Sequence, residues 1–138
     1  MFLAILDIKV KSSSSNCPGI NAFDNTNSST FHFTKSEYNR IDYGSGNAQG
    51  YTSYDQLCLT KDACASNFEF LLVFSCSRGL KKMKASGVVG LSPLKHSHSD
   101  LFIKKMKDSG VISKEMVSFS IGAGSFQDKM TIGGYDLA

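Results

Sequence analysis

Tryptophan is absent and proline occurs only twice in 138 residues. No proline-rich linker, internal repeat or domain boundary divides the chain, which argues against a string of small domains and leaves one unit, 1–138. Long hydrophobic runs are missing too. No stretch is long enough to span a membrane as a helix. The apolar run Phe2-Leu3-Ala4-Ile5-Leu6, closed by Asp7, is too short for a signal-peptide core. That leaves either a cytosolic protein or a chain whose true beginning lies upstream. Neither sign of charge dominates, with 15 basic and 12 acidic residues. The clusters Lys81, Lys82, Lys84 and Lys104, Lys105, Lys107 are short and lack aromatic or helical readers, so they read as solvated surface and not as a nucleic-acid module. No Cys-x-x-Cys or matching His spacing occurs, which argues against zinc; no metal or other cofactor is implied.

What the chain does have is 10 Phe, 5 Tyr and 12 Gly, a composition suited to many strands and tight turns. Four cysteines, Cys17, Cys58, Cys64 and Cys76, allow three connectivities, and their even number favours an oxidising compartment. If residues 51–60 and 65–74 form a hairpin turning at Lys61, Cys58 and Cys64 face each other as a cross-strand disulfide candidate. Free buried thiols are the alternative. The triplet Asn27-Ser28-Ser29 is a glycosylation acceptor if the chain is secreted.

Residues 2–6 are a strand candidate, and residues 11–30, rich in Ser, Asn and Gly, read as loop. Phe31, Phe33, Tyr38 and Ile41 mark strand segments leading to Tyr43-Gly44-Ser45-Gly46, a hairpin turn, with a second arm at residues 48–60. Phe68, Phe70, Leu72 and Phe74 alternate along a strand with one aromatic face, expected to be central. Gly87-Val88-Val89-Gly90-Leu91 reads as a buried strand. Asp100 is placed as the N-cap of a helix carrying Phe102 and Met106 four apart, with Gly110 as its stop. Val117, Phe119 and Ile121 give another strand, and Met130-Thr131-Ile132 one more. The result is one mostly antiparallel β domain.

Each motif is bland alone, but their order is informative. Ser28-Ser29-Thr30, Ile41-x-Tyr43-Gly44-Ser45-Gly46, Gly50, Asp55, Gly87-Val88-Val89-Gly90-Leu91, Gly110-x-Ile112-Ser113, Phe119-Ser120 and Ile132-Gly133-Gly134-Tyr135-Asp136 resemble the N-terminal lobe of pepsin-like aspartic proteases. The match runs from about Asn16 to Asp136. The resemblance implies a mostly β, antiparallel, closed-barrel-like lobe with one or two short helices. It also implies an incomplete domain over 1–138 whose C-terminal lobe is absent, a polypeptide substrate, a monomer, and a secreted or lysosomal or vacuolar setting. Tyr43, Gly44, Ser45 and Gly46 correspond to the tip of the flap that folds over the substrate, and Gly87–Gly90 to the segment supporting the catalytic loop. In this family two aspartates, one per lobe, share a proton and hold the water that attacks the peptide.

Asp7, at the end of its hydrophobic strand, is the only sensible candidate for the first aspartate. The family follows that residue with Thr or Ser and then Gly, whereas Ile8-Lys9-Val10-Lys11 supplies neither hydroxyl nor glycine. The run from Asp7 to Cys17 is also shorter than usual, a break so confined that a local deletion or a misjoined exon accounts for it. Asp108-Ser109-Gly110 matches the catalytic pattern on paper, but it is expected to be a solvated helix end. His96, Ser97, His98, Ser99 and Asp100 are contiguous and so do not converge as a triad, and the His-x-His pair reads as a loop leading into the helix. Three functions compete: an incomplete endopeptidase, inactive alone; a peptide-binding pseudoprotease lobe; and a dimer in which each copy lends Asp7.

Overall fold

Alternation along residues 68–73 sends Phe68, Phe70 and Leu72 to one side of the backbone and Leu71 and Val73 to the other. The fold is organised about that split. A computed structural model describes residues 17, 23–44, 46–82, 87–93, 100–122 and 128–135. Strands β1 (His32–Tyr43), β2 (Gly46–Thr60) and β3 (Ala63–Cys76) form one antiparallel sheet. Helix α1 (Arg78–Lys81), helix α2 (Phe102–Asp108) and the antiparallel pair β4 (Val117–Ser120) and β5 (Lys129–Ile132) follow. A single 3-10 turn at Asn25–Asn27, capped by the Asp24 side chain, precedes the sheet. The protein is mostly β and antiparallel with two short helices, the architecture that the resemblance implies.

One core lies on each face of β3. The first gathers Ala65, Phe68, Phe70 and Leu72 with Phe102 and Met106 of α2. The second gathers Ala48, Leu71, Val73 and Cys76, with Ile41, Tyr43, Leu80 and Val88 packed around it. Burying a side chain such as Leu72 or Met106 contributes about 1.5–3 kcal/mol. The sheet order β1-β2-β3 corrects the expectation that β3 is central: among the described strands β2 holds the middle. Two successive hairpins lay the strands in chain order. Among the described strands only β2 pairs with β3, and the hydrophobicity of β3 follows from the core on each of its faces.

Helix α2 buries Phe102 and Met106, the pair spaced by one turn. Its C-terminus closes as a Schellman motif, with Gly110 N–H on the Lys107 carbonyl at 3.0 Å and Val111 N–H on that of Met106 at 2.9 Å. Its start departs from expectation. Leu101 occupies the N-cap, with no side-chain cap bond. Asp100 instead brackets the edge of β3, accepting Glu69 N–H at 3.1 Å while its own N–H donates to the Glu69 carbonyl at 3.0 Å. A part-buried N–H on an edge strand needs an acceptor, and that need outcompetes a helix terminus that water can serve. Lys105 reinforces the bracket, 3.1 Å from the Asp100 carboxylate and donating to the Asn67 carbonyl at 2.9 Å.

Gly87–Leu91 is also corrected: it forms no strand, and Val89 is 41% exposed. A ladder needs a neighbour's backbone groups, and no described strand runs beside this segment. Its apolar residues still dock by side chain, Val88 on the second core and Leu91 on the first.

All four cysteines are bonded, Cys58 to Cys64 and Cys17 to Cys76, so the free-thiol alternative does not hold. Cys58 and Cys64 are register partners across the β2–β3 turn. Cys17–Cys76 ties the segment before the sheet to the end of β3. Among the described residues no helix is long and apolar enough to cross a membrane.

Candidate functional site

The β1–β2 hairpin carries the residues with the clearest functional pattern. Tyr43 and Gly46 are the last register partners, and Gly44 lies in the turn between them. The strands divide polar from apolar by face. Arg40 and Asp42 point outward and pair at 2.8 Å, an exposed bridge that raises the Arg40 pKa, first through the hydrogen bond to Asp42 and then through its charge. Ile41 and Tyr43 lie on the opposite side, against the second core.

Tyr43 is half-buried, and its hydroxyl has no hydrogen-bond partner among the described residues. Burial disfavours the phenolate and pushes its pKa up to about 12. The hairpin's second arm is pinned at its start. Asn47 N–H donates to Ser77 Oγ at 3.0 Å, and Ser77 N–H returns a bond to the Asn47 carbonyl at 2.9 Å. Only glycine fits beside that pin: Gly46 has φ +151°, and a Cβ there would lie 1.8 Å from Ser77 Oγ. At Gly44 a Cβ would meet nothing within 4 Å, so the tip itself is open.

Two motifs far apart in sequence meet behind this hairpin. Ser28 Oγ donates to Asp55 Oδ1 at 2.9 Å, Thr30 Oγ1 donates to the same oxygen, and Gln56 N–H adds a third bond at 2.7 Å. Asp55 is thereby a buried structural acid with three donors on one carboxylate oxygen. Other described aspartates are also engaged: Asp24 with the turn at Asn25–Asn27, Asp42 with Arg40, Asp128 with Gly122 N–H at 3.2 Å, and Asp100 as above. Asp108, in the string that mimics the catalytic pattern, sits 2.6 Å from Lys104 with its side chain 56% exposed, a solvated helix end.

The structure therefore brings together Tyr43, Gly44 and Gly46 of the expected flap. Asp7, Ser45 and the His96–Ser99 run lie outside the described residues, as do residues 2–6 and Asp136. Near the last motif, Ser118 Oγ donates to the Gly134 carbonyl at 2.9 Å, and Lys114 lies 5.7 Å from the Tyr135 ring centre. Sequence reasoning missed two partnerships, Ser28 and Thr30 with Asp55, and Ser77 with Asn47. A lone aspartate in a strand of apolar and hydroxyl residues was the available signal for the first. The second is mostly backbone and leaves no signal.

Comparison with protein families returns one match covering nearly the whole chain: the eukaryotic aspartyl protease family over residues 3–138. No curated protein matches the chain. The ordered motifs, the antiparallel architecture with its glycine-tipped hairpin, and this match agree, and the chain belongs to the eukaryotic aspartyl protease family.

Proposed function

We propose that residues 1–138 are a single incomplete lobe of an aspartic endopeptidase, holding a polypeptide beneath the Tyr43–Gly46 flap and contributing Asp7 as the first acid of a two-aspartate site. The family match over residues 3–138 carries the reading. The hairpin supports it: the tip is open at Gly44, its base is fixed by Ser77, and the Tyr43 hydroxyl is left without a partner among the described residues. Such a ring excludes water with its body, and its hydroxyl, buried in the described fold, reaches a peptide backbone once the hairpin moves over the substrate. Cleavage needs a second carboxylate close enough that the pair shares one proton. One acid then takes a proton from water while the other polarises the scissile carbonyl. With Asp7 as the single candidate, the chain alone is inactive. The test pairs this lobe with a second lobe bearing Asp-Thr-Gly, after Ile8→Thr and Lys9→Gly restore the donors beside Asp7. Acid proteolysis that Asp7→Asn abolishes supports the assignment; activity indifferent to Asp7→Asn refutes it.

Ile8-Lys9-Val10-Lys11, which offers Asp7 no hydroxyl or glycine, favours a second reading: a non-catalytic peptide-binding lobe. In that case peptides bind without being cut even after the second lobe is supplied, and Tyr43→Ala weakens the binding.

A further inference from the structure

On the β3 face that packs against α2, away from the hairpin tip, lies a cavity of about 200 Å³ lined by Phe23, Asp55, Gln56, Leu57, Phe68 and Phe70. Its walls are almost wholly apolar. Phe23 meets Phe70 edge-on, ring centres 6.3 Å apart, and Phe68 and Phe70 are buried. Gln56 is exposed and marks the mouth. The single charged group in the lining is Asp55, only 7% exposed.

The bonding of Asp55 is lopsided. Its three donors, Ser28 Oγ, Thr30 Oγ1 and Gln56 N–H, all converge on Oδ1. No described residue donates to Oδ2. A carboxylate oxygen that keeps accessible surface and has no protein donor retains its acceptor capacity for a bound group, and here it belongs to a side chain that borders an apolar space. An enclosed apolar space of about 150 Å³ is enough to take up benzene, so this one has room for a single ring with a short substituent. A peptide is too large, and an anion is repelled by the carboxylate. A cation that carries its own apolar body satisfies both features, because the ring fills the aromatic walls while the nitrogen donates a charge-assisted hydrogen bond.

We propose that this cavity is a binding site for a small monocyclic amine, its ring seated among Phe23, Leu57, Phe68 and Phe70 and its protonated nitrogen donating to Oδ2 of Asp55. The site is separate from the flap and makes no use of Asp7, so it stands whether or not the chain belongs to an active protease.

The test titrates the full 138-residue chain with benzylamine, benzyl alcohol and benzoate at neutral pH, following backbone amide shifts by NMR. Benzylamine is expected to move residues 23, 55–57 and 68–70, to bind about tenfold or more tightly than benzyl alcohol, and to leave the amides around Tyr43 unmoved. Benzoate is expected not to bind. Asp55→Asn should erase the preference for the amine. Because that change also touches the bonds from Ser28 and Thr30, Leu57→Phe serves as the second variant: it fills the space, keeps the carboxylate, and should abolish binding of both neutral and cationic probes. Equal affinity for benzylamine and benzyl alcohol, no shift at the lining residues, or binding undiminished by Leu57→Phe would each overturn the proposal.

Discussion

Ser28 and Asp55, 27 residues apart in the chain, are joined by a hydroxyl-to-carboxylate hydrogen bond of 2.9 Å. With Thr30 bonded to the same oxygen, this clasp fastens the loop before β1 to the middle strand of the sheet. Hydrogen bonds to a charged group are worth about 1.5–3 kcal/mol each, more than neutral ones. Ser28→Ala is expected to destabilise the protein by about 1–3 kcal/mol, read from the denaturation midpoint at unchanged slope. In a double-mutant cycle with Asp55→Asn the two losses should fall short of additivity, because both remove one interaction. Strict additivity would show that the contact carries no energy.

The Tyr43 hydroxyl contributes no hydrogen bond to the described fold, so its removal should cost little. Tyr43→Phe is expected to leave stability unchanged or raise it by up to about 1 kcal/mol, because a buried unsatisfied hydroxyl disappears. The same change should weaken peptide binding if the hydroxyl serves a ligand. A loss of stability as large as that from Ser28→Ala would mean the hydroxyl has a structural partner.

The same residue sets an alkaline pH dependence. Its folded pKa, about 12, lies above the ordinary tyrosine value of 10.0. Between those values the unfolded chain has lost the proton that the folded chain still holds, so the unfolded state binds fewer protons and stability falls as pH rises through that window. Below it, Tyr43 adds no pH dependence. Tyrosinate absorbance should show a late step near that raised value, and Tyr43→Phe should delete it.

Gly50 sits where the β2–β3 register shifts, and a Cβ there would lie 2.2 Å from the Leu72 carbonyl oxygen, a backbone atom. Gly50→Ala is expected to cost about 3 kcal/mol, since the ladder itself must move. Gly44→Ala meets open space and should change stability by under about 1 kcal/mol. Similar losses at both sites would refute this placement of the strands.

The two disulfides should differ in weight. Cys17–Cys76 spans 59 residues and Cys58–Cys64 spans 6. Loop-closure entropy then assigns about 4 kcal/mol to the first and about 2 kcal/mol to the second. Paired Cys→Ser variants compared by denaturation should show the larger loss for Cys17 and Cys76.

Much of this fold was legible before the structure. Alternation over Phe68, Phe70 and Leu72 marked β3, the Tyr43–Gly46 turn marked the hairpin, and Phe102, Met106 and Gly110 marked α2 and its stop. What misled was competition among partners. Asp100 before an apolar helical run reads as a cap, and nothing local discloses that Glu69 N–H, 31 residues earlier, claims the carboxylate. The five-residue run at Gly87 reads as a buried strand because hydrophobicity reports burial of side chains and not the presence of a neighbouring ladder. For the candidate site the hairpin was readable from its glycines, whereas the Ser28–Asp55 clasp depends on a contact between distant segments. The surroundings of Asp7 lie outside the described residues.

The central claim is that peptide hydrolysis on this scaffold takes two positioned carboxylates and that this chain contributes one. Purified 138-residue protein, incubated with a denatured protein substrate at acidic pH with and without a pepstatin-type inhibitor, tests it most directly. The account predicts no cleavage above the buffer control in either arm. Cleavage by the chain alone, abolished by the inhibitor, would contradict it.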